Sequence, residues 1–126
     1  MRNGILVTAI CFCLCGCQVK MPKADISAME LYHQHQEPGG ADVKYEDKDL
    51  SVSGVIESVA YSWLTPYGYM SVFLGEADQL VFCNFPPETA NQTSKLIKAV
   101  VAVIRGVCKG AAFDRFPFLA DCTIVR

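Results

Sequence analysis

The fold of this chain is decided by the stretch Leu50-Ser51-Val52-Ser53-Gly54-Val55-Ile56. Its larger apolar residues alternate with small polar ones, and a period of two predicts a half-buried β-strand. Gly54 stands in the middle of that pattern, where a glycine often marks a bulge or a sharp bend. The stretch therefore predicts a long first strand that bends and can serve two sheets.

Four further segments with strand character follow this one. They cover residues 70–74, 80–85, 99–107 and 116–125, and residues 109–115 read as a loop before the last of them. Residues 88–98 predict a short helix between the third and fourth strands. This order predicts a mainly β protein, a five-stranded OB-fold Greek-key barrel with a short helix between strands 3 and 4. Small SH3-like barrels also contain five short strands and are the alternative architecture.

A short amphipathic helix is predicted before the barrel, over residues 24–36. Ile26, Met29 and Tyr32 recur at helical spacing, and Asp25 or Ser27 can cap the first turn. The Pro-Gly-Gly run at 38–40 ends the helix. Residues 41–49 then form a polar connector to the first strand.

The amino terminus carries a targeting signal. An apolar run over residues 5–14 is too short to span a bilayer but has the length of a secretory signal core. The motif Leu14-Cys15-Gly16-Cys17 resembles the bacterial lipobox, which implies cleavage after Gly16 and a diacylglyceryl chain on Cys17. The competing interpretations are a plain signal peptide cut at another small residue and an uncleaved amphipathic anchor.

Three parts of the chain follow from this interpretation. Residues 1–16 are the lipoprotein signal peptide, 17–23 a lipidated tether, and 24–126 the OB-fold domain with its leading helix. Lys20 and Lys23 of the tether suit anionic lipid headgroups. Gln18 stands where an aspartate tends to retain enteric lipoproteins at the inner membrane. The predicted location is the cell envelope, with the outer membrane favoured over the inner one.

The residues from about Ala28 onward resemble the tRNA-anti-like OB-fold family. The resemblance rests on short segments in a fixed order, namely Ala41-Asp42, Tyr45, Lys48, 50–56, 72–74, 81–85, 105–110 and 119–124. One departure is the run Lys98-Ala99-Val100-Val101, which lacks the turn with lysine and glycine that the family commonly has before strand 4. The resemblance implies the fold and carries no catalytic residue, since fold alone does not assign function.

Removal of the predicted signal peptide leaves Cys17 and three further cysteines, Cys83, Cys108 and Cys122. An oxidising compartment favours one disulfide among these three. Cys108 and Cys122 flank the loop of the predicted last hairpin, so antiparallel pairing would bring them roughly opposite each other. The prediction is a Cys108–Cys122 bridge. Cys83 is the rival partner, because strands 3 and 5 can also be neighbours in an OB barrel.

Aromatic residues concentrate on the first three strands and their loops. An OB-fold uses this face to bind oligonucleotides or oligosaccharides by stacking. Tyr61, Trp63, Tyr67 and Tyr69 are the ligand-face candidates. The alternative is that half of the rings belong to the core, and at least one of the strand residues Phe73 and Phe82 is expected to point inward.

Charge and motifs limit the classes of function. The formal net charge is −2, whereas nucleic-acid binders rely on basic surfaces to neutralise phosphates. His33 and His35 lie two apart on one predicted helix, and such residues do not face one ion. We predict no metal and no cofactor. No convergent nucleophile and base, and no facing carboxylate pair, emerge from the sequence, so enzymatic activity is not expected.

The resulting prediction is a membrane-anchored, non-catalytic binding or interaction module. Its partners are the lipid bilayer, through the anchor, and an envelope protein, a peptide or a glycan. Two alternatives remain open. One is an exclusion lipoprotein of phage or plasmid origin that blocks a receptor or keeps DNA from entering. The other is a nucleic-acid-binding OB-fold protein.

Overall fold

The computed structural model describes residues 23–37, 44–61, 67–113 and 115–125. The predicted signal peptide, the lipidation at Cys17 and the site candidate Trp63 lie outside these residues. The described elements, in chain order, are β1 (Ile26–Ser27), α1 (Ala28–Gln36), β2 (Asp49–Tyr61), β3 (Met70–Glu76), β4 (Gln79–Phe85), α2 (Pro87–Ala90), a 3-10 helix (Asn91–Lys95), β5 (Val101–Ala112) and β6 (Phe116–Ile124). Within the described ranges, no helix combines the length and the hydropathy needed to cross a bilayer.

Strands β2 to β6 close into a barrel. Antiparallel pairs join β2 to β3, β3 to β4 and β6 to β5, and a further antiparallel pairing of β5 with β2 closes the ring. The contact between β4 and β6 is parallel and runs over Phe82–Phe118 and Cys83–Leu119. The topology confirms the predicted five-stranded OB-fold. Strand β1 adds two residues in parallel to the first half of β2.

Strand β2 serves two neighbours, as its central glycine predicts. Its first half, Asp49 to Val55, pairs with β5, and its second half pairs with β3. The register shift lies between Ile56 and Ser58, just after Gly54. Gly54 itself meets helix α1, because a Cβ there would lie 2.9 Å from the Cβ of Ala28.

Helix α1 begins later than the sequence pattern predicts. Ile26 pairs with Val52 as part of β1, and Ser27 is the N-cap, whose hydroxyl oxygen accepts the Glu30 N–H at 3.1 Å. Ala28 and Leu31 are buried and belong to the barrel core. The leading helix is therefore a packed part of the domain.

The helical part of the connection between β4 and β5 ends at Lys95, whereas the sequence predicts a helix up to residue 98. Thr89 Oγ1 donates to the carbonyl of Cys122 at 2.6 Å. Gln92 Oε1 accepts the N–H of Ile124 at 2.8 Å and the hydroxyl of Thr123 at 3.0 Å. These bonds hold the short helices against the end of β6.

The predicted loop over residues 109–115 is mostly strand, because β5 continues to Ala112. Gly110 suggests a turn in the sequence, but it lies in an irregularity of the β5–β6 ladder with φ +86°. The ladder resumes at Ala111, which pairs with Pro117. An irregularity of this kind inserts a residue without ending the strand pair.

The cysteine prediction is wrong in register. Cys108 pairs with Leu119 rather than with Cys122, and Cys122 lies against Gly106, where an added Cβ would stand 2.7 Å from its Sγ. All three cysteines are buried in the core as thiols, so the structure does not contain the predicted Cys108–Cys122 bridge. The residue whose thiol interacts with Cys122 is Cys83.

Candidate binding face

The outer side of strands β3, β4 and β6 carries phenylalanines. Val72, Leu74, Val81, Cys83 and Leu119 point into the barrel core, so the residues that alternate with them point outward. Phe73 and Phe82 are direct partners in the β3–β4 register and therefore share a face. The expectation that at least one of them points inward is wrong, because both lie outside the barrel.

These residues belong to a continuous cluster, which we call the aromatic face, and which consists of Phe73, Phe82, Phe113, Phe116 and Phe118. Phe82 is its buried centre, with ring centroids 5.0 Å from Phe73, 5.4 Å from Phe118 and 5.8 Å from Phe113. Phe73 also meets Phe116 edge to face at 5.7 Å. Offset and edge-on contacts of this kind add about 0.5–1.5 kcal/mol per pair beyond burial. The face is therefore preformed.

Charged groups stand at one edge of the aromatic face. The Arg115 guanidinium lies 5.0 Å from the centroid of the Phe116 ring and 3.8 Å from a carboxylate oxygen of Asp78. Both members of this ion pair are more than half exposed, so water screens their attraction. Gln36 Nε2 donates to the Arg115 carbonyl at 3.4 Å and joins the end of α1 to the same hairpin. This edge offers one cation and one anion.

A polar pair interrupts the apolar surface. Ser71 and Asn84 are register partners, two residues along their strands from Phe73 and Phe82. Ser71 Oγ donates to the Ala60 carbonyl at 3.3 Å. The side-chain carbonyl oxygen of Asn84 is buried and has no hydrogen-bond partner among the described residues. A buried acceptor without a partner costs about 1–3 kcal/mol.

The tyrosine candidates lie where β2 leads into β3. Tyr61 is 75% exposed and Tyr67 98% exposed, while Tyr69 is half-buried. The structure thus leaves two of the candidates accessible, and their role in binding stays a prediction.

Sequence reasoning missed three residues of the aromatic face: Phe113, Phe116 and Phe118. The signal was present in the alternation of Phe116 and Phe118 with the buried residues Pro117 and Leu119. This alternation does not by itself indicate a ligand face, because β6 comes to lie beside β4 only in the folded barrel.

Groups with shifted pKa values lie elsewhere. Hydrogen bonds from the backbone and side chain of Ser51 lower the pKa of Asp25, and Asp47 raises the pKa of Lys109 through a 2.6 Å ion pair. Burial, and then the Cys83 thiol, raise the pKa of Cys122. These three groups contribute to the fold and lie outside the aromatic face. The means of recognition that the aromatic face offers are therefore ring stacking and hydrogen bonding.

Comparisons with known proteins agree on the fold. No protein-family model matches the sequence, and a comparison with curated proteins returns no match. A proposed nucleic acid-binding lipoprotein from Klebsiella pneumoniae superposes with a TM-score of 0.67 at 21% identity, over 82% of this chain and 92% of that one.

Two OBodies also superpose, each in complex with hen egg-white lysozyme. OBody AM3L09 gives a TM-score of 0.56 at 14% identity, over 83% of this chain and 97% of that one. OBody AM3L15 gives 0.54 at 13% identity, over 85% and 98%. At these identities the likeness shows the fold, and the resemblance to the tRNA-anti-like family stays a prediction.

Proposed function

We propose that this protein is a lipid-anchored, non-catalytic binding module that holds a peptide segment of an envelope protein on its aromatic face. The observation that carries the proposal is the preformed cluster around Phe82, on the side of the barrel that OB-folds use for ligands. Apolar pockets with a few directed polar groups are typical of binding sites. The Arg115 guanidinium at the edge of the face is such a group, since it is more than half exposed and can donate to a peptide carbonyl.

A peptide fits this face better than a glycan does. Sugar hydroxyl groups need several hydrogen-bond partners, and the phenylalanine rings of the face offer none. Apolar side chains of a peptide would fill the spaces between the rings, while its backbone carbonyls would accept from the Arg115 guanidinium at the edge of the face. The OBodies show that a barrel of this shape can present a surface to another protein, lysozyme in their case.

Nucleic acid is the second candidate, favoured by the description of the Klebsiella protein and by the capacity of phenylalanine to stack on bases. Charge argues against it. Arg115 is paired with Asp78, and the whole chain has a formal net charge of −2. Phosphate neutralisation supplies most of the affinity of nucleic-acid binders, and it would be weak here.

The anchor is supported by the motif Leu14-Cys15-Gly16-Cys17 and by a neighbour of the same fold that is a lipoprotein. We place the protein at the envelope, with the outer membrane preferred because Gln18 follows the lipidated cysteine. The proposed role is recognition, and the exclusion lipoprotein is one particular form of it.

The test is selection of random dodecapeptides on the immobilised full-length protein, followed by titration of a selected peptide by calorimetry. Phe116→Ala and Phe118→Ala should each weaken binding at least tenfold. Lys95→Ala, an exposed change outside the face, should leave the affinity unchanged.

A parallel filter-binding titration uses single-stranded RNA at several salt concentrations. Affinity for RNA that falls steeply with salt, together with peptide binding unaffected by the phenylalanine substitutions, would replace the peptide proposal with the nucleic-acid one. Selected peptides that are rich in apolar residues and compete with one another for the aromatic face would support the peptide proposal.

A further inference from the structure

Four exposed apolar side chains lie near the start of the described domain. We call Met29, Ile97, Val100 and Val101 the anchor-side patch. Val101 lines one surface groove together with Ala24 and a second groove, of about 270 Å³, together with Met29. Ile97 and Val100 precede it in the turn that leads into β5. Val101 is thus next to the residues that join the domain to its tether, and Ile97 and Val100 precede it in the chain by four residues or fewer.

The turn that carries Ile97 is held firmly. The Val100 N–H donates to the Ile97 carbonyl at 3.1 Å, and the Ala99 N–H donates to the Ile56 carbonyl at 2.8 Å. Ile56 returns a bond from its N–H to the Val100 carbonyl at 3.0 Å. Ile97 nevertheless remains 65% exposed. The fold therefore fixes an apolar side chain in an exposed position.

The sequence around this turn has the composition of a membrane-surface contact. Lys95 and Lys98 flank Ile97 and are exposed, and no ion pair of either is found among the described residues. Apolar side chains that enter the headgroup boundary and lysines that meet lipid phosphates are the two contributions to interfacial binding.

We infer that the anchor-side patch lies on the bilayer that holds the lipid anchor. This inference rests on the proposed lipidation of Cys17. The seven residues from Cys17 to Lys23 are joined by six peptide bonds and span at most about 20 Å when extended, so the start of the domain stays close to the bilayer. The attachment raises the effective concentration of the membrane at the patch, and a weak contact then suffices.

The charge distribution sets the character of this contact. Asp25, Glu30 and Glu76 also line the two grooves, which excludes strong attraction to anionic lipid as the main contribution. The Asp25 carboxylate is engaged by the Ser51 N–H at 3.0 Å. Insertion of Ile97 and Val100 should therefore persist in zwitterionic vesicles, with the lysines adding a smaller, salt-dependent part.

The experiment places a fluorescent dye on the patch of the lipidated, full-length protein. Ile97→Cys and Val100→Cys are labelled with an NBD maleimide and reconstituted into phosphatidylethanolamine–phosphatidylglycerol vesicles that contain headgroup nitroxide lipids. Ala111→Cys is the matched control, since Ala111 is an exposed residue near the far end of the 12-residue strand β5. The native cysteines of the domain are buried, and unmutated protein gives the background of labelling.

Quenching at Ile97 and Val100 at least threefold stronger than at Ala111 is the expected result. Equal quenching at the three positions, in protein that carries palmitate and floats with the vesicles, would overturn the inference and leave the anchor intact. Absence of palmitate would overturn both. A dye at Ile97 that is shielded from water but not quenched would show that another protein covers the patch and would also contradict the inference.

Discussion

At the scale of single residues, Gly54 sets the distance between helix α1 and the barrel. A Cβ at this position would lie 2.9 Å from the Cβ of Ala28 and 3.2 Å from that of Leu74. Helix and strand can approach this closely only because residue 54 has no side chain. The glycine that makes β2 recognisable in the sequence thus also positions α1.

Replacing Gly54 by alanine should therefore lower the free energy of unfolding by about 1–3 kcal/mol, as overpacking does in other cores. Ala28→Gly removes the opposing methyl group, so the double variant should recover part of this loss. Urea denaturation of the two single variants and the double variant gives the coupling. Strictly additive effects would show that the two positions do not press on each other, and Ser53→Ala serves as the control.

The cysteines illustrate how register decides a residue's role. Cys122 Sγ donates to the Leu119 carbonyl at 3.3 Å, and Leu119 is the β4–β6 register partner of Cys83. In an oxidising compartment we expect a Cys83–Cys122 bridge. Two thiols would lose two protons and two electrons to a disulfide oxidant such as oxidised glutathione, which is reduced to two thiols.

Mass spectrometry of the oxidised protein checks this expectation. After exposure to oxidised glutathione, peptides that contain Cys83 and Cys122 should be joined, and Cys108 should be alkylated only after unfolding. A disulfide that includes Cys108 would show that the pairing of β5 with β6 shifts when the cysteines are oxidised.

The shifted pKa of Cys122 predicts how stability depends on pH under reducing conditions. Burial raises this pKa well above its ordinary value of 9.0, so the folded protein keeps a proton that the unfolded chain releases. Stability from this group is complete below pH 9 and falls as the pH rises further, by at most about 1.4 kcal/mol per pH unit. Urea unfolding between pH 8 and pH 11 should show a shallower decline for Cys122→Ala than for the unmodified protein. Parallel declines would contradict the assignment.

At the scale of elements, helix α1 is part of the barrel core. Leu31 has no exposed surface and packs with the strands, although it belongs to the leading helix. Leu31→Ala should lower the free energy of unfolding by about 2–5 kcal/mol. His33→Ala, two residues further on the exposed side, should change it by less than about 0.5 kcal/mol. Thermal and urea unfolding measure both, and similar small effects would mean that α1 is an appendage.

Strands could be predicted from the sequence where the alternation of apolar and polar residues extends over enough residues to be recognised. Residues 50–56 have a clear alternation, and β3 and β4 are found within two residues of their predicted bounds. Strand β1 was missed because the two residues Ile26 and Ser27 cannot display a period. The end of β5 was misplaced because Gly110 has the local character of a turn, and only the facing strand β6 keeps it in the ladder.

The binding face was predicted less completely, for a physical reason. Tyr61 and Tyr67 could be named because they lie in or beside the loop after β2. The contact of Phe82 with Phe118 depends on the parallel junction of β4 and β6, and these strands are separated in the sequence by both short helices and β5. No local pattern encodes that neighbourhood.

At the scale of the whole molecule, the proposed attachment to the membrane depends on Cys17. Cys17→Ser should abolish incorporation of labelled palmitate and leave a precursor that the lipoprotein signal peptidase does not cleave. Labelling in growing cells, followed by membrane fractionation, measures both. A serine variant that still matures and carries palmitate would refute the assigned anchor. Cys13→Ser, inside the apolar run and outside the motif, is the matched control and should be processed normally.

The short strand β1 has a mechanical consequence for a protein tethered at this end. Any tension between the membrane and a bound partner enters the domain at Lys23 and reaches β1 first. There it meets the parallel pairs of Ile26 with Val52 and of Ser27 with Ser53, and the bonds between Asp25 and Ser51. In the proposed anchored protein these bonds would bear the tension together, so the joint between β1 and β2 would yield before the strands of the barrel, β2 to β6, separate.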